Sequence, residues 1–116
     1  MGGVGCLGMP GPGAPILRPV NFALDGEALI VRTGEGTILD AARRGDPASF
    51  ELDGIDRLEH TGWSILVTGV LAERPTDEAH LRLALRPWAS GQRDRFVSLS
   101  LDEVVGRRIP SGQGNR

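Results

Sequence analysis

Lysine and tyrosine are both absent from this 116-residue chain, and cysteine occurs once, at Cys6. Without lysine there is no Schiff-base chemistry and no phosphate loop of the Walker type. A single cysteine excludes an internal disulfide and any CxxC metal or redox site. Aromatic residues make up 4% of the chain, so the core has to be assembled from Val, Leu, Ile and Ala. No apolar run approaches the roughly 20 residues of a membrane-spanning helix. The N-terminus lacks the basic start and apolar stretch of a signal peptide. Gly2 follows Met1, but Cys6 stands where a myristoylation signal has Ser or Thr. Arginine alone supplies the 13 basic residues against 15 acidic ones, with the signs interleaved. No basic block exists to follow a phosphate backbone, so nucleic acid is not an expected partner. The expectation is a reduced, cytoplasmic protein with neither a membrane nor a nucleic acid as partner.

What is present describes one small aliphatic domain, 40% apolar and long enough to bury a single core. Of 17 glycines and 8 prolines, nine fall within the first fifteen positions. Residues 1–15 are therefore expected to be a flexible start, with at most a short first strand through Val4, Cys6 and Leu7. Ile16 to Leu24 and Ala28 to Thr33 form two extended runs around an Asp25-Gly26 hairpin signal. Thr37 is placed to cap a helix, with Asp40 in a capping-box position and Gly45 and Pro47 ending it. Strand spacing resumes at Ala48 to Leu52, Gly54 to Gly62 is a charged connection, and Trp63 to Glu73 is the longest strand. Thr76 is expected to cap a second helix that Pro87 ends, with Asp77 and Glu78 favourable in its first turn. After a polar loop from Trp88 to Arg95, Phe96 to Leu101 and Val104 to Ile109 read as strands, and residues 110–116 as a disordered tail. Six or seven strands with two short helices favour a small barrel or sandwich over a parallel sheet.

The segment most informative about chemistry is Gly34-Glu35-Gly36-Thr37. A strand runs into it and a helix leaves it, so backbone N–H groups, the helix dipole and a hydroxyl converge as an anion site. Arg32 is close enough to add a charge. Taken alone, such a segment is more often merely a turn. Trp63, at a strand start, is expected in the core, whereas Trp88 with Arg93 and Arg95 is as much an interface or ligand candidate as a cap over the barrel end. His60 and His80 have no acidic partner at ligand-like spacing, so no metal site is expected. Ser64, Ser98 and Ser100 lack a nucleophile-elbow context. No catalytic residue can be named, and Cys6 is expected to be a small apolar filler.

Taken in order, Arg18-Pro19-Val20-Asn21-Phe22, Asp25-Gly26, Val31-Arg32-Thr33-Gly34-x-Gly36-Thr37, Thr61-Gly62-Trp63-Ser64-Ile65-Leu66-Val67-x-Gly69 and Leu85-Arg86-Pro87-Trp88-Ala89-x-Gly91-x-Arg93-Asp94 resemble the pyridoxamine 5′-phosphate oxidase-like proteins. Gly106-Arg107-Arg108-Ile109 closes the match, which covers about residues 16 to 109. Each motif is loose singly; their order and spacing together are fairly specific.

The resemblance implies a mainly β fold, a split β-barrel of about six strands with two short helices, occupying residues 16–109. It implies a homodimer with FMN at the subunit interface, and a flavin oxidoreductase acting on a small organic substrate. Arg18, Pro19, Val20 and Asn21 would line the flavin ring, Arg32 and Thr33 would contact the ring and phosphate side, and Gly36 and Thr37 would hold the phosphate. Trp88 and Arg93 would reach across from the second subunit. The deazaflavin F420 is the alternative cofactor, because the two kinds of barrel are shared. Two departures stand out. The position after Thr37, commonly Lys or Arg in the family, is Ile38, which leaves Arg32, Arg43 or Arg44 to neutralise a phosphate. The family usually begins with a helix before its first strand, so a truncated or misassigned start is expected here. Both departures favour the rival expectation of a non-catalytic binding or stress-response barrel with weakened cofactor binding.

Overall fold

The computed structural model describes residues 2–75 and 95–110. Within them the chain forms β1 (Gly2–Met9), β2 (Ile16–Asp25), β3 (Ala28–Thr33), α1 (Thr37–Arg44), β4 (Pro47–Asp56), β5 (Thr61–Arg74), β6 (Arg95–Ser100) and β7 (Glu103–Ile109). All pairings are antiparallel. The sheet runs β4-β1-β2-β3-β6-β5-β7, and a further β4–β5 pairing closes its first six strands into a barrel. The expected mainly β barrel of six strands is therefore present, with one short helix. The second helix expected over Thr76 to Pro87 lies outside the described residues.

Local chemistry explains most of the boundaries. Asp25 pairs with Ala28 across a two-residue loop, and Gly26 takes φ 64, a conformation that costs glycine nothing. The helix ends where expected: Gly45 is left-handed at φ 71 and its N–H bonds to Ala42 O at 3.1 Å, as C-terminal glycines do. Between β4 and β5, Asp56 Oδ1 accepts from the N–H groups of Leu58 and Glu59 at 3.1 and 3.2 Å, an Asx turn that shortens the expected charged connection to four residues.

Within the start expected to be flexible, the possible short strand through Val4, Cys6 and Leu7 is present and longer than expected. Residues 2–9 form a full barrel strand bonded to both β2 and β4. Its odd positions face inward: Leu7 and Met9 are buried, while a side chain on Gly3 would touch Phe22 and one on Gly5 would overlap the Phe50 ring. The glycines make room for aromatic rings. Those rings meet edge to face, 5.0 Å apart, an arrangement aromatic pairs prefer. Around them Val20, Leu29, Val31, Val67, Leu71, Val97 and Leu99 fill the barrel, and Ile38, Leu39, Ala41 and Ala42 of α1 plug it.

β5 is the strand on which the barrel splits. Its residues 62–68 carry β7, and its residues 71–74 carry β6 on the same side. Gly69 lies at this change of partner, against the backbone carbonyl of Ser100, and Val70 N–H donates to Ser100 Oγ at 2.9 Å.

Glu51 and Asp53, two apart on β4, share one face of that strand. Burial pushes the Glu51 carboxyl above its usual range, and the hydrogen bond and charge of Asp53 add to the shift. A raised carboxyl favours the fold while protonated, and that contribution is lost as pH rises through its folded value. Glu51→Gln is therefore expected to raise the thermal midpoint at neutral pH and to leave it unchanged in acid, as scanning calorimetry at both pH values would register.

Candidate functional site

An open groove of about 640 Å³ lies beside the β3–α1 turn. It brings together eight of the ten residues expected at a cofactor site: Arg18, Pro19, Val20 and Asn21 of β2, Arg32 and Thr33 at the end of β3, then Gly36 and Thr37. Trp88 and Arg93 lie outside the described residues, as does His80. Four further residues line the groove: Val4, Gly34, Glu35 and Ile38. Val4 gets there because β1 pairs it directly with Asn21, a partner that the possible first strand through Val4, Cys6 and Leu7 did not specify. An alternation of Val4 and Cys6 against Leu7 and Met9 was the available signal.

The donors that an anion would need at this turn come from the backbone. β3 stops at Thr33, and Gly36 turns the chain at φ 140, ψ −154, a region open in practice only to glycine. Thr37 is not the helix cap: Gly36 occupies that position, and no side chain caps the helix. The first intrahelical bond is Asp40 N–H to Gly36 O at 2.9 Å. The N–H groups of Thr37, Ile38 and Leu39 precede it and have no intrahelical acceptor, so the positive end of the helix dipole lies at Thr37, which is exposed.

Charged side chains around this turn pair with one another. Glu35 pairs with Arg95 Nε at 3.4 Å and with Arg43 Nη1 at 3.7 Å. Arg43 also donates to both carboxylate oxygens of Glu73, at 3.1 and 3.4 Å. That hydrogen bond is the main reason the Glu73 carboxyl is held below its usual range. Arg44 is bound to Asp46 at 2.9 Å. Of the three arginines expected to stand in for the missing cation, only Arg32 lines the groove. Ile38 itself is 9% exposed and part of the core, so its side chain plugs the barrel while its backbone serves the seat.

A second groove, about 680 Å³, lies at the far end of the β4–β5 hairpin between Trp63, Arg108, Asp56 and Glu59. Trp63 was expected in the core. Instead it is 44% exposed and spread across Gly54, its direct partner on β4, because the hairpin runs beyond the barrel end. Among the described residues no three His, Cys, Asp or Glu side chains gather as a metal site. No helix there is long and apolar enough to cross a membrane.

A split barrel with an open groove beside its strand-to-helix turn defines a class of protein. The family model of pyridoxamine 5′-phosphate oxidase matches residues 1–108, and the chain belongs to that family. An uncharacterized protein of Mycobacterium tuberculosis is 31% identical over 102 residues, spanning 82% of this chain and 67% of its own. The structure of an FAD-binding protein from Mycobacterium smegmatis is 30% identical and superposes with a TM-score of 0.72, covering 92% of this chain and 85% of that one. An FAD-binding protein from Mesorhizobium loti, 21% identical, shares the fold with a TM-score of 0.74 over 93% of this chain and 86% of its own.

Proposed function

We propose that the groove at the β3–α1 turn binds a flavin nucleotide, FMN being the form the sequence resemblance implies, and that the protein is a flavin-dependent oxidoreductase of the cytoplasm acting on a small organic substrate. The observation that carries this reading is a backbone anion seat and an extended strand edge meeting in one groove of about 640 Å³, a volume suited to a nucleotide-sized ligand. The residues fit the group. The N–H groups opening α1, the Thr37 hydroxyl and the Arg32 guanidinium would hold its phosphate, and Pro19 to Asn21 with Val4 would flank its ring. When bound, the flavin supplies the hydride chemistry. The chain's own residues bind and orient it, which accounts for the lack of a nucleophile or acid–base pair in the sequence. The FAD-binding proteins of the same fold support a flavin as the occupant.

A homodimer belongs to the same proposal. Exposed apolar side chains lie on the outside of the barrel: Val4, which lines the groove, at 40%, with Leu17 at 64% and Leu66 at 43%. A second copy laid over them would shield both the apolar surface and the flavin. Sedimentation is expected to give a dimer at micromolar concentration; a strict monomer would remove this part of the proposal.

The buried Ile38 favours one rival, a barrel that keeps the groove without effective cofactor binding. Purification followed by a visible spectrum and titration with FMN, FAD and deazaflavin separates the two. Yellow protein, or saturable uptake of FMN or FAD, is the expected result. Uptake of deazaflavin alone would reassign the cofactor, and colourless protein that takes up none of the three would overturn the enzyme reading.

A further inference from the structure

Among the described strands, β7 alone joins the sheet through a single neighbour, β5. Its other edge therefore presents a row of backbone N–H and C=O groups without a strand beside them, which invites a further strand. Residues 102–108 are exposed throughout, with Val104 at 56% and Val105 at 41%. Charge on such an edge commonly serves to keep other strands away. Here the charges are segregated by sign. Asp102 and Glu103 stand at the start, Arg107 and Arg108 towards the end, and Val104, Val105 and Gly106 between them. No ion pair ties any of these four charged side chains to another described residue.

We propose that two copies of the chain join their β7 edges antiparallel, about a two-fold axis through Val105, so that the sheet runs on from one copy into the other. In this register the order of residues is its own complement. Val105 meets Val105 of the second copy, Val104 meets Gly106, Glu103 meets Arg107 and Asp102 meets Arg108. Facing residues share a side of the sheet: Glu103, Val105 and Arg107 on one, Asp102, Val104, Gly106 and Arg108 on the other. A slip of two residues either way sets Glu103 or Arg107 against a valine, so the charges select one register. That self-complementary order is what singles out a second copy as the occupant of the edge. The contact is separate from the one that would cover the flavin groove, because β4 and β5 lie between β7 and the strand that carries Val4. It would join such dimers in pairs. Exposed ion pairs contribute little singly, so the association is weak and falls with added salt.

The direct test is Val105→Cys in the full chain carrying Cys6→Ser, oxidised and run on a non-reducing gel. Facing Cα atoms of an antiparallel pair lie roughly 4.5–5.5 Å apart, within reach of a disulfide, so a covalent dimer is expected. Val104→Cys in the same background is the control. Its two copies lie on a diagonal of roughly 7–8 Å, too far to bridge, and the chain should keep its single-copy mass. In sedimentation from micromolar to millimolar concentration, Glu103→Arg and Arg107→Glu should each weaken the association by about tenfold or more. The two reversals combined should restore it. Absence of the Val105→Cys cross-link, equal cross-linking of Val104→Cys, or failure of the combined reversal to restore association would overturn the proposal. Flavin uptake reports on the groove separately and is expected to be unchanged in all of these variants.

Discussion

Among the described glycines, Gly69 is expected to be the one at which an added methyl group does the most damage, in Gly69→Ala. At the point where β5 exchanges β7 for β6, a Cβ on residue 69 would run into the carbonyl oxygen of Ser100 and lie 2.8 Å from its carbonyl carbon. The obstruction is backbone, so no rotamer change relieves it. Nor is β6 free to withdraw, since Val70 N–H is held by Ser100 Oγ at 2.9 Å and Asp102 N–H bonds to Thr68 O at 3.1 Å. Overpacking of this kind costs about 3 kcal/mol, a large part of the 5–15 kcal/mol by which small domains are stable. The thermal midpoint should fall by about 10 °C or more. Gly13→Ala is the control: a Cβ there meets nothing within 4 Å and should leave the midpoint unchanged or slightly raised. A Gly69→Ala midpoint within about 2 °C of the wild type, against that expected shift, would mean that β5 and β6 do not approach as closely as described.

The same glycines show which parts of the molecule are written locally. The β2–β3 hairpin, the end of α1 at Gly45 and the span of β3 follow from neighbouring residues, because turn chemistry and alternation act over a few positions. β1 does not. Gly3 and Gly5 look like flexibility in a glycine- and proline-rich head, and they become barrel residues only once β1 is paired so that Phe22 and Phe50 come to lie over them. Trp63 is a similar case. Its composition and strand position suggest the core, but register sets it opposite Gly54 on a hairpin that outruns the barrel. For the site, the turn from Thr33 to Thr37 was legible because strand, glycine and helix follow one another directly. Val4 and the ion pairs of Glu35 were not, since Val4 depends on the pairing of β1 and Arg95 comes from β6, distant in sequence.

Replacing Thr37 and Arg32 together by alanine is expected to have the largest effect on ligand binding. Both line the groove, one as the first residue of α1 and the other on the strand that leads into the turn, and the proposed function gives both a phosphate to hold. A charge-assisted contact is worth about 1.5–3 kcal/mol and a neutral hydroxyl contact about 1 kcal/mol. Flavin nucleotide affinity should therefore fall by roughly two to three orders of magnitude. Binding should not vanish, because the backbone N–H groups of Thr37, Ile38 and Leu39 and the helix dipole survive the substitutions. Riboflavin, which has no phosphate, separates loss of the seat from damage to the groove. It should lose far less affinity than FMN or FAD, and a circular-dichroism melt would check that the barrel is intact. If the double variant binds FMN and FAD as tightly as the wild type, the phosphate is held elsewhere on the molecule. If riboflavin falls as steeply as the nucleotides, the substituted side chains act on the ring, and the seat at the opening of α1 has to be assigned to the backbone alone.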